Sequence, residues 1–334
     1  MKRKLKLIFA IVSLVLIVAG VVVALRYFTK VDRRAKVVVT TFAIYDICVE
    51  IMGSDDDLLM LMDNGVDMHS YSPTASDIAS ISQAELFICV GGESESWVGD
   101  VLATARNVNL KSLSLMNIDG ITLLEENNDN IIQGGHDHEH EHEESHDEQE
   151  NAHIDEHEYD EHVWLSIKNV IRMVDEIRNS LTNVYPEMQQ LFKKNADEYI
   201  DKLTELDMEY ENSIKSSKKT LIVADRFPFR YLVEDYDINY YAVFSGCSAE
   251  TEASTETIAH LVEKINAENV DYLIVLESSD RKVASSCISN GNCKDGLQIL
   301  TLDSCQSIRE SEIGRKSYFQ IMTHNLEVLK KALV

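Results

Sequence analysis

Lys36-Val37-Val38-Val39-Thr40-Thr41-Phe42-Ala43-Ile44-Tyr45-Asp46-Ile47 (KVVVTTFAIYDI, 36–47) decides the fold class. Lys36 to Thr41 is a short run rich in β-branched residues and reads as a buried strand. From Phe42 to Met52 the apolar positions take helical spacing. A strand feeding straight into a helix opens a β-α unit. Outward from it the alternation continues. Asp57 to Met62 reads as a second strand. Pro73-Thr74-Ala75-Ser76-Asp77 opens a helix that runs to Gln83. Glu85 to Val90 (ELFICV) is a strand stopped by Gly91-Gly92, and Trp97 to Ala105 is helical. Such alternation implies a mainly parallel sheet with helices on its faces.

From Leu123 to Glu161 the pattern breaks. This stretch holds no Lys or Arg and few large apolar residues, so it reads as a long mobile loop. Helical spacing returns near Val163. Pro186 suits the start of a longer helix reaching Ile214, with Leu191, Tyr199, Leu203 and Leu206 as its apolar stripe. Then β-α alternation resumes. Strands are expected at Leu221–Ala224, Tyr240–Phe244, Tyr272–Leu276 and Leu297–Leu302. Helices are expected at Phe229–Glu234, Thr255–Ala267 and Ile313–Ala332. The chain therefore divides into a signal or anchor segment (1–35) and a first α/β lobe (36–185) that includes the loop. A linker helix (186–215) and a second α/β lobe (216–334) follow. Two such lobes leave a cleft beyond the carboxyl ends of their strands.

The 334 residues carry 57 acidic and 31 basic side chains, a net charge of -26. Residues 1–36 hold nine basic groups and one acidic group, so the remainder stands at 22 − 56 = -34. That argues against a nucleic-acid partner, because phosphate contacts need Lys and Arg patches. It suits attraction of cations. Hydrophobic residues make up 45% and prolines number three, which excludes a disordered or collagen-like chain.

Lys2, Arg3, Lys4 and Lys6 precede an unbroken apolar run of 19 residues, Leu7 to Leu25, in which Ser13 is the one plainly polar residue. As a helix it spans about 28 Å, close to a bilayer's hydrocarbon thickness. It is expected to be an uncleaved membrane anchor, placing the rest outside the cytoplasm; if cleaved, it is a signal peptide and the protein is secreted. No Cys closes the run for lipid attachment.

The strongest chemical signal is histidine. The 27 residues from His136 to His162 hold eight of the eleven histidines and thirteen Asp or Glu. Imidazole suits zinc, and carboxylates add charge. His136, His138, His140, His142, His146, His153 and His157 form an accessory metal-gathering loop. His162, in Asp160-Glu161-His162-Val163-Trp164-Leu165-Ser166, stands where the apolar pattern resumes and can be held rigidly. His69, in Asp67-Met68-His69-Ser70-Tyr71-Ser72-Pro73, stands just before a helix.

These segments, in this order, resemble the zinc- and manganese-type (ZnuA-like) solute-binding proteins of bacterial ABC importers. The resemblance spans residues 36 to 330. It rests on KVVVTTFAIYDI, H-x-Y-x-P-T-x-x-D at 69–77, ELFICVGGESESW, the His-rich loop, D-x-H-x-W-L-S at 160–166, ADRFPFRYLVEDY at 224–236 and Leu302-Asp303. It implies two α/β lobes joined by one long rigid helix. One metal ion sits between the lobes, on three His and one carboxylate or two of each, for delivery to an ABC permease. Carried over, His69 and His162 are ligands and Asp303 is the carboxylate. Arg226 stands where the family has its further His, and arginine cannot ligate a cation. Asp225 or Glu277 could substitute; Cys247 and Cys305 are softer candidates. Asp225 and Arg226 could instead pair internally and prop the cleft, and Asp303 could cap its loop.

Zn²⁺ is the expected ion, with Mn²⁺ the alternative. The competing reading is a surface metal buffer or adhesive protein that binds through the loop. A zinc hydrolase is disfavoured, since no HExxH-type motif accompanies the histidines. The chain is read as a receptor, not an enzyme. Cys287–Cys293 and Cys247–Cys305 are candidate disulfides, while Cys48 and Cys89 read as buried thiols.

Overall fold

The computed structural model describes residues 35–63, 65–132, 159–248, 252–289, 293 and 296–334. The expected N-terminal membrane helix and the seven loop histidines lie outside these residues. Among the described residues no helix is long and apolar enough to cross a membrane.

The first lobe is a four-stranded sheet. Its strands are β1 (Val37–Val39), β2 (Leu58–Met60), β3 (Leu86–Cys89) and β4 (Lys111–Ser114), in the order β2-β1-β3-β4. Every pairing is parallel, with Val38 opposite Leu59 on one side and Phe87 on the other. A central parallel strand is covered on both faces, which is why β1 is an uninterrupted valine run. Helices α1 (Phe42–Met52), α2 (Ala75–Gln83) and α3 (Val98–Ala103) connect the strands. The second lobe repeats the scheme with β5 (Thr220–Phe227), β6 (Asn239–Ser245), β7 (Tyr272–Leu276) and β8 (Gln298–Leu302). Its order, β6-β5-β7-β8, is again wholly parallel.

Between the lobes run α4 (Ile167–Val184) and the 26-residue α5 (Gln189–Ile214), about 39 Å long at 1.5 Å per residue. The buried stripe of α5 is Phe192, Ala196, Tyr199, Leu203, Leu206, Tyr210 and Ile214. Leu191, expected in that stripe, is 40% exposed. At about 100° per residue it sits about 80° round from Tyr199, whereas Phe192 is only about 20° off. One apolar core continues from β1 and β3 through α1, α4 and α5 into β5 and α9 (Tyr318–Leu333). The lobes therefore share a core rather than swing on a bare linker.

Two elements have no readable sequence signal, and one boundary differs from its expected place. β4 (KSLS) has no apolar run; it is an edge strand, with Lys111 and Ser112 exposed as edges commonly require. Helix α8 (Lys282–Ser289) is too short and serine-rich to announce itself. α9 begins at Tyr318, not Ile313, because Ser317 and Gln320 form a capping box. The long loop is also ordered at both ends. Glu125 bridges Tyr159, and Ile131 and Ile132 add to the edge of β6 at Ala242. All six cysteines are free thiols, so neither expected disulfide forms. α6 (Arg230–Asp235) and α7 (Thr255–Ala267) complete the second lobe.

Asp46 on α1 is buried and accepts the Tyr318 backbone N–H at 2.8 Å, at the start of α9. The helix N-terminus favours a carboxylate, but burial wins and raises its pKa to about 7. Glu95 and Glu277 are likewise raised to about 7, burial first. An acid with a raised folded-state pKa holds its proton more tightly when folded. Stability is then greatest below the unfolded value near 4 and is lost as pH rises toward 7. Thermal unfolding is thus expected to give a higher Tm at pH 5 than at pH 8. Asp46→Asn should raise the pH 8 value and flatten the profile, by at most about 4 kcal/mol for a three-unit shift. A D46N profile parallel to the wild type would contradict this.

Candidate metal centre

His69 is set by its neighbours. Asp67 caps the 3-10 turn Met68–Ser70, its carboxylate accepting the His69 N–H at 3.0 Å. Downstream, Asp77 accepts the Tyr71 hydroxyl at 2.9 Å and the Thr74 N–H at 2.8 Å, and Thr74 Oγ1 caps α2. The Tyr, Thr and Asp of the H-x-Y-x-P-T-x-x-D motif thus brace the loop that carries the histidine. His162 is held by Asp160, whose Oδ1 accepts the His162 N–H at 2.8 Å and lies 2.9 Å from Nδ1. A carboxylate at Nδ1 places the proton there and leaves Nε2 free as a donor to a cation.

The two rings meet. His69 Nε2 and His162 Nε2 are 3.3 Å apart, and the His69 Nδ1 is turned away to Ser94 Oγ at 2.8 Å. Two nitrogens bound at about 2.0–2.1 Å to a tetrahedral Zn²⁺ stand about 3.3 Å apart. The pair therefore already has the edge length of a zinc site. His162 is 1% exposed. Burial, then His162 and Arg226, push the His69 pKa down to about 4, so its ring is neutral at pH 7.

A second layer holds this pair. Glu161 accepts the Ser94 N–H at 2.7 Å, and its other oxygen is 3.7 Å from His69 Nδ1. Burial raises its pKa. Gly92 allows this approach: at φ +90° a Cβ there would stand 2.3 Å from Glu161 Oε1. On the far side, a Cβ on Gly246 would stand 2.8 Å from the Phe227 carbonyl and 3.2 Å from the His162 ring.

The other expected ligands go elsewhere. Asp225 faces its own sheet, accepting N–H groups of Arg226 at 2.9 Å and Leu276 at 3.3 Å. A register shift in β5 between Val223 and Arg226 turns Arg226 toward the first lobe. There its guanidinium meets Asp67 at 2.5 Å, so Arg226 pairs across the cleft and not with Asp225. Gln306 donates to the same Asp67 at 3.2 Å. Burial would raise the Asp67 pKa, but Arg226 outweighs it and holds the carboxyl below its ordinary value. Asp303 accepts the Cys305 N–H at 2.9 Å, and Glu277 accepts the Ser304 N–H and hydroxyl at 3.0 and 2.7 Å. These two carboxylates shape the 302–305 corner. Cys305 is fully buried in the core.

Among the described residues, one group of three or more His, Cys, Asp or Glu ligand atoms converges: His69, His162 and Cys247, all within 4.8 Å of one another. Cys247 follows β6 and comes from the second lobe. Burial, then Glu126, Asp160 and Glu161, push its thiol pKa well up. The accessory histidines lie outside the described residues. Asp160→Asn is expected to weaken metal binding about 10–100-fold by removing the charge behind His162. Calorimetric titration with zinc checks this; unchanged affinity would mean His162 is not a ligand.

Comparison with known proteins points to one family. A family model described as "Zinc-uptake complex component A periplasmic" (ZnuA) matches residues 37–332. The zinc-binding protein AdcA of Streptococcus pyogenes is 31% identical over 303 residues, covering 90% of this chain and 56% of AdcA. The chain thus spans little more than half the length of that relative. The high-affinity zinc uptake system protein ZnuA of Bacillus subtilis is 29% identical, covering 90% of this chain and 88% of that protein. Among solved structures, the Zn(II)-bound ZnuA-like domain of Streptococcus pneumoniae AdcA matches with a TM-score of 0.68 and 26% identity. It covers 89% of this chain and 98% of that one.

Proposed function

The chain belongs to the ZnuA family of zinc-uptake components, and on that footing we propose that it is an extracytoplasmic receptor that captures Zn²⁺ between its lobes. It hands the ion to an ABC permease. The observation that carries this reading is the 3.3 Å approach of the two Nε2 atoms. Each ring is oriented from behind by a polar partner, Ser94 for His69 and Asp160 for His162. The role is binding and release rather than catalysis. Imidazole ligands favour Zn²⁺ over Mn²⁺, which prefers oxygen.

The remaining parts fit around that role. Residues 1–35 are proposed to tether the protein to the membrane, with lobes at 36–185 and 216–334 and the linker helix at 186–215. His136, His138, His140, His142, His146, His153 and His157 are proposed to gather zinc near the cleft. His69 and His162 are the proposed cleft ligands. Asp303, Asp225 and Glu277 take part only if the second lobe's strand ends rearrange, because each carboxylate is engaged in backbone hydrogen bonds. The shared apolar core argues for small rigid-body shifts on loading.

Zinc titration of the chain with and without residues 136–158 tests the reading. One tight site that survives loop removal is expected. Zinc binding that disappears with the loop would replace the receptor with a loop-based buffer.

A further inference from the structure

We propose that Cys247 supplies the third metal ligand, so that the cleft is a His-His-thiolate site rather than one completed by an aspartate or glutamate. This inference rests on the cleft reading above and specifies its ligand set.

Three observations carry it. The first is place. Cys247 Sγ, His69 and His162 present their ligand atoms within 4.8 Å of one another, and no Asp or Glu joins the group among the described residues. A tetrahedral zinc needs an N···S edge of about 3.6 Å, so a movement of about 1 Å brings the thiol in. The second is charge. The guanidinium of Arg226 stands beside His69, neutralised by Asp67 at 2.5 Å. Two imidazole ligands bring no negative charge to a divalent ion, and a thiolate bound directly to it adds to what the Asp160 and Glu161 carboxylates supply from behind the rings. The three carboxylates expected for that role hold backbone N–H groups instead. The third is connection. His69 belongs to the first lobe, His162 to the segment entering α4, and Cys247 to the second lobe, immediately after Gly246, where a Cβ would crowd His162. A cation on all three ties the lobes together at one point.

On binding, the Zn–S bond forms as the S–H bond breaks, and the proton passes to solvent. Nothing is oxidised or reduced. A thiolate also sets the choice of ion. Softer Zn²⁺ and Cd²⁺ gain from sulfur, while Mn²⁺ does not.

Cobalt substitution of the full-length chain tests this. One equivalent of Co²⁺ should give visible ligand-field bands together with a near-ultraviolet sulfur-to-cobalt charge-transfer band. A His69→Ala/His162→Ala variant supplies the background from the histidine-rich segment. In Cys247→Ser the charge-transfer band should be lost while the histidine-dependent visible bands remain. The preference for Cd²⁺ over Mn²⁺ should fall with it. Cys247→Ala, which removes the hydroxyl as well, should behave alike. Wild-type visible bands without a sulfur band would overturn the thiolate ligand and leave the cleft reading intact. Visible bands that are unchanged in the double histidine variant would overturn both.

Discussion

Replacing His162 by alanine is expected to lower zinc affinity by a hundredfold or more. Structural zinc sites bind with about 10–16 kcal/mol over four ligands, so one ligand carries about 3 kcal/mol, or about two powers of ten. His162 should lie at the upper end. It is 1% exposed and its orientation comes from a single carboxylate 2.9 Å away. Truncation also removes one of the two partners of Asp160 Oδ1, leaving it the backbone N–H of residue 162, and opens a cavity where the buried ring stood. His162→Gln keeps a polar group against Asp160 and separates the two effects. Both variants should lose the zinc affinity, but only the alanine variant should also lose stability without metal. The measurement is the zinc-induced shift in Tm, which shrinks as dissociation weakens at fixed zinc concentration. A wild-type shift retained in both variants would place the metal elsewhere.

Trp164→Ala is expected to destabilise the fold by about 3–5 kcal/mol, read from urea unfolding. Trp164 is fully buried two residues beyond His162. Its indole N–H donates to the Ser304 carbonyl at 2.8 Å, and its own carbonyl accepts the Tyr318 hydroxyl at 2.8 Å. Both partners belong to the second lobe's side of the molecule, so one side chain joins the His162 segment to the 302–305 corner and to α9. Loss of the ring leaves a cavity, and loss of the N–H leaves the Ser304 carbonyl unpaired. Trp164→Phe should cost much less, because it keeps most of the volume. A cost under about 1 kcal/mol for the alanine variant would mean that the core refills the space.

The D-x-H-x-W-L-S segment shows why so much of this molecule was legible in one dimension. Asp160, His162 and Ser166 act locally: a carboxylate two residues before its histidine, and a cap for α4. Local roles leave spacing that can be read. The β-α alternation is equally local, since a doubly covered strand must be a short apolar run. By contrast β4 and α8 carry no such pattern, because an exposed edge and a short surface helix need no apolar face of their own.

The two α/β lobes, the long helix between them and the family resemblance are legible in one dimension, and the two histidines are nominated there, because each rests on neighbours within a few residues. Only the folded chain brings the rest of the candidate site together. Arg226 and Asp67 are 159 positions apart and meet only because the lobes face each other. Cys247 reaches the histidines for the same reason. Asp225, Glu277 and Asp303 look like ligands in a string of letters. In the fold, each of them accepts at least one backbone N–H near a strand end, because a buried donor must be satisfied there.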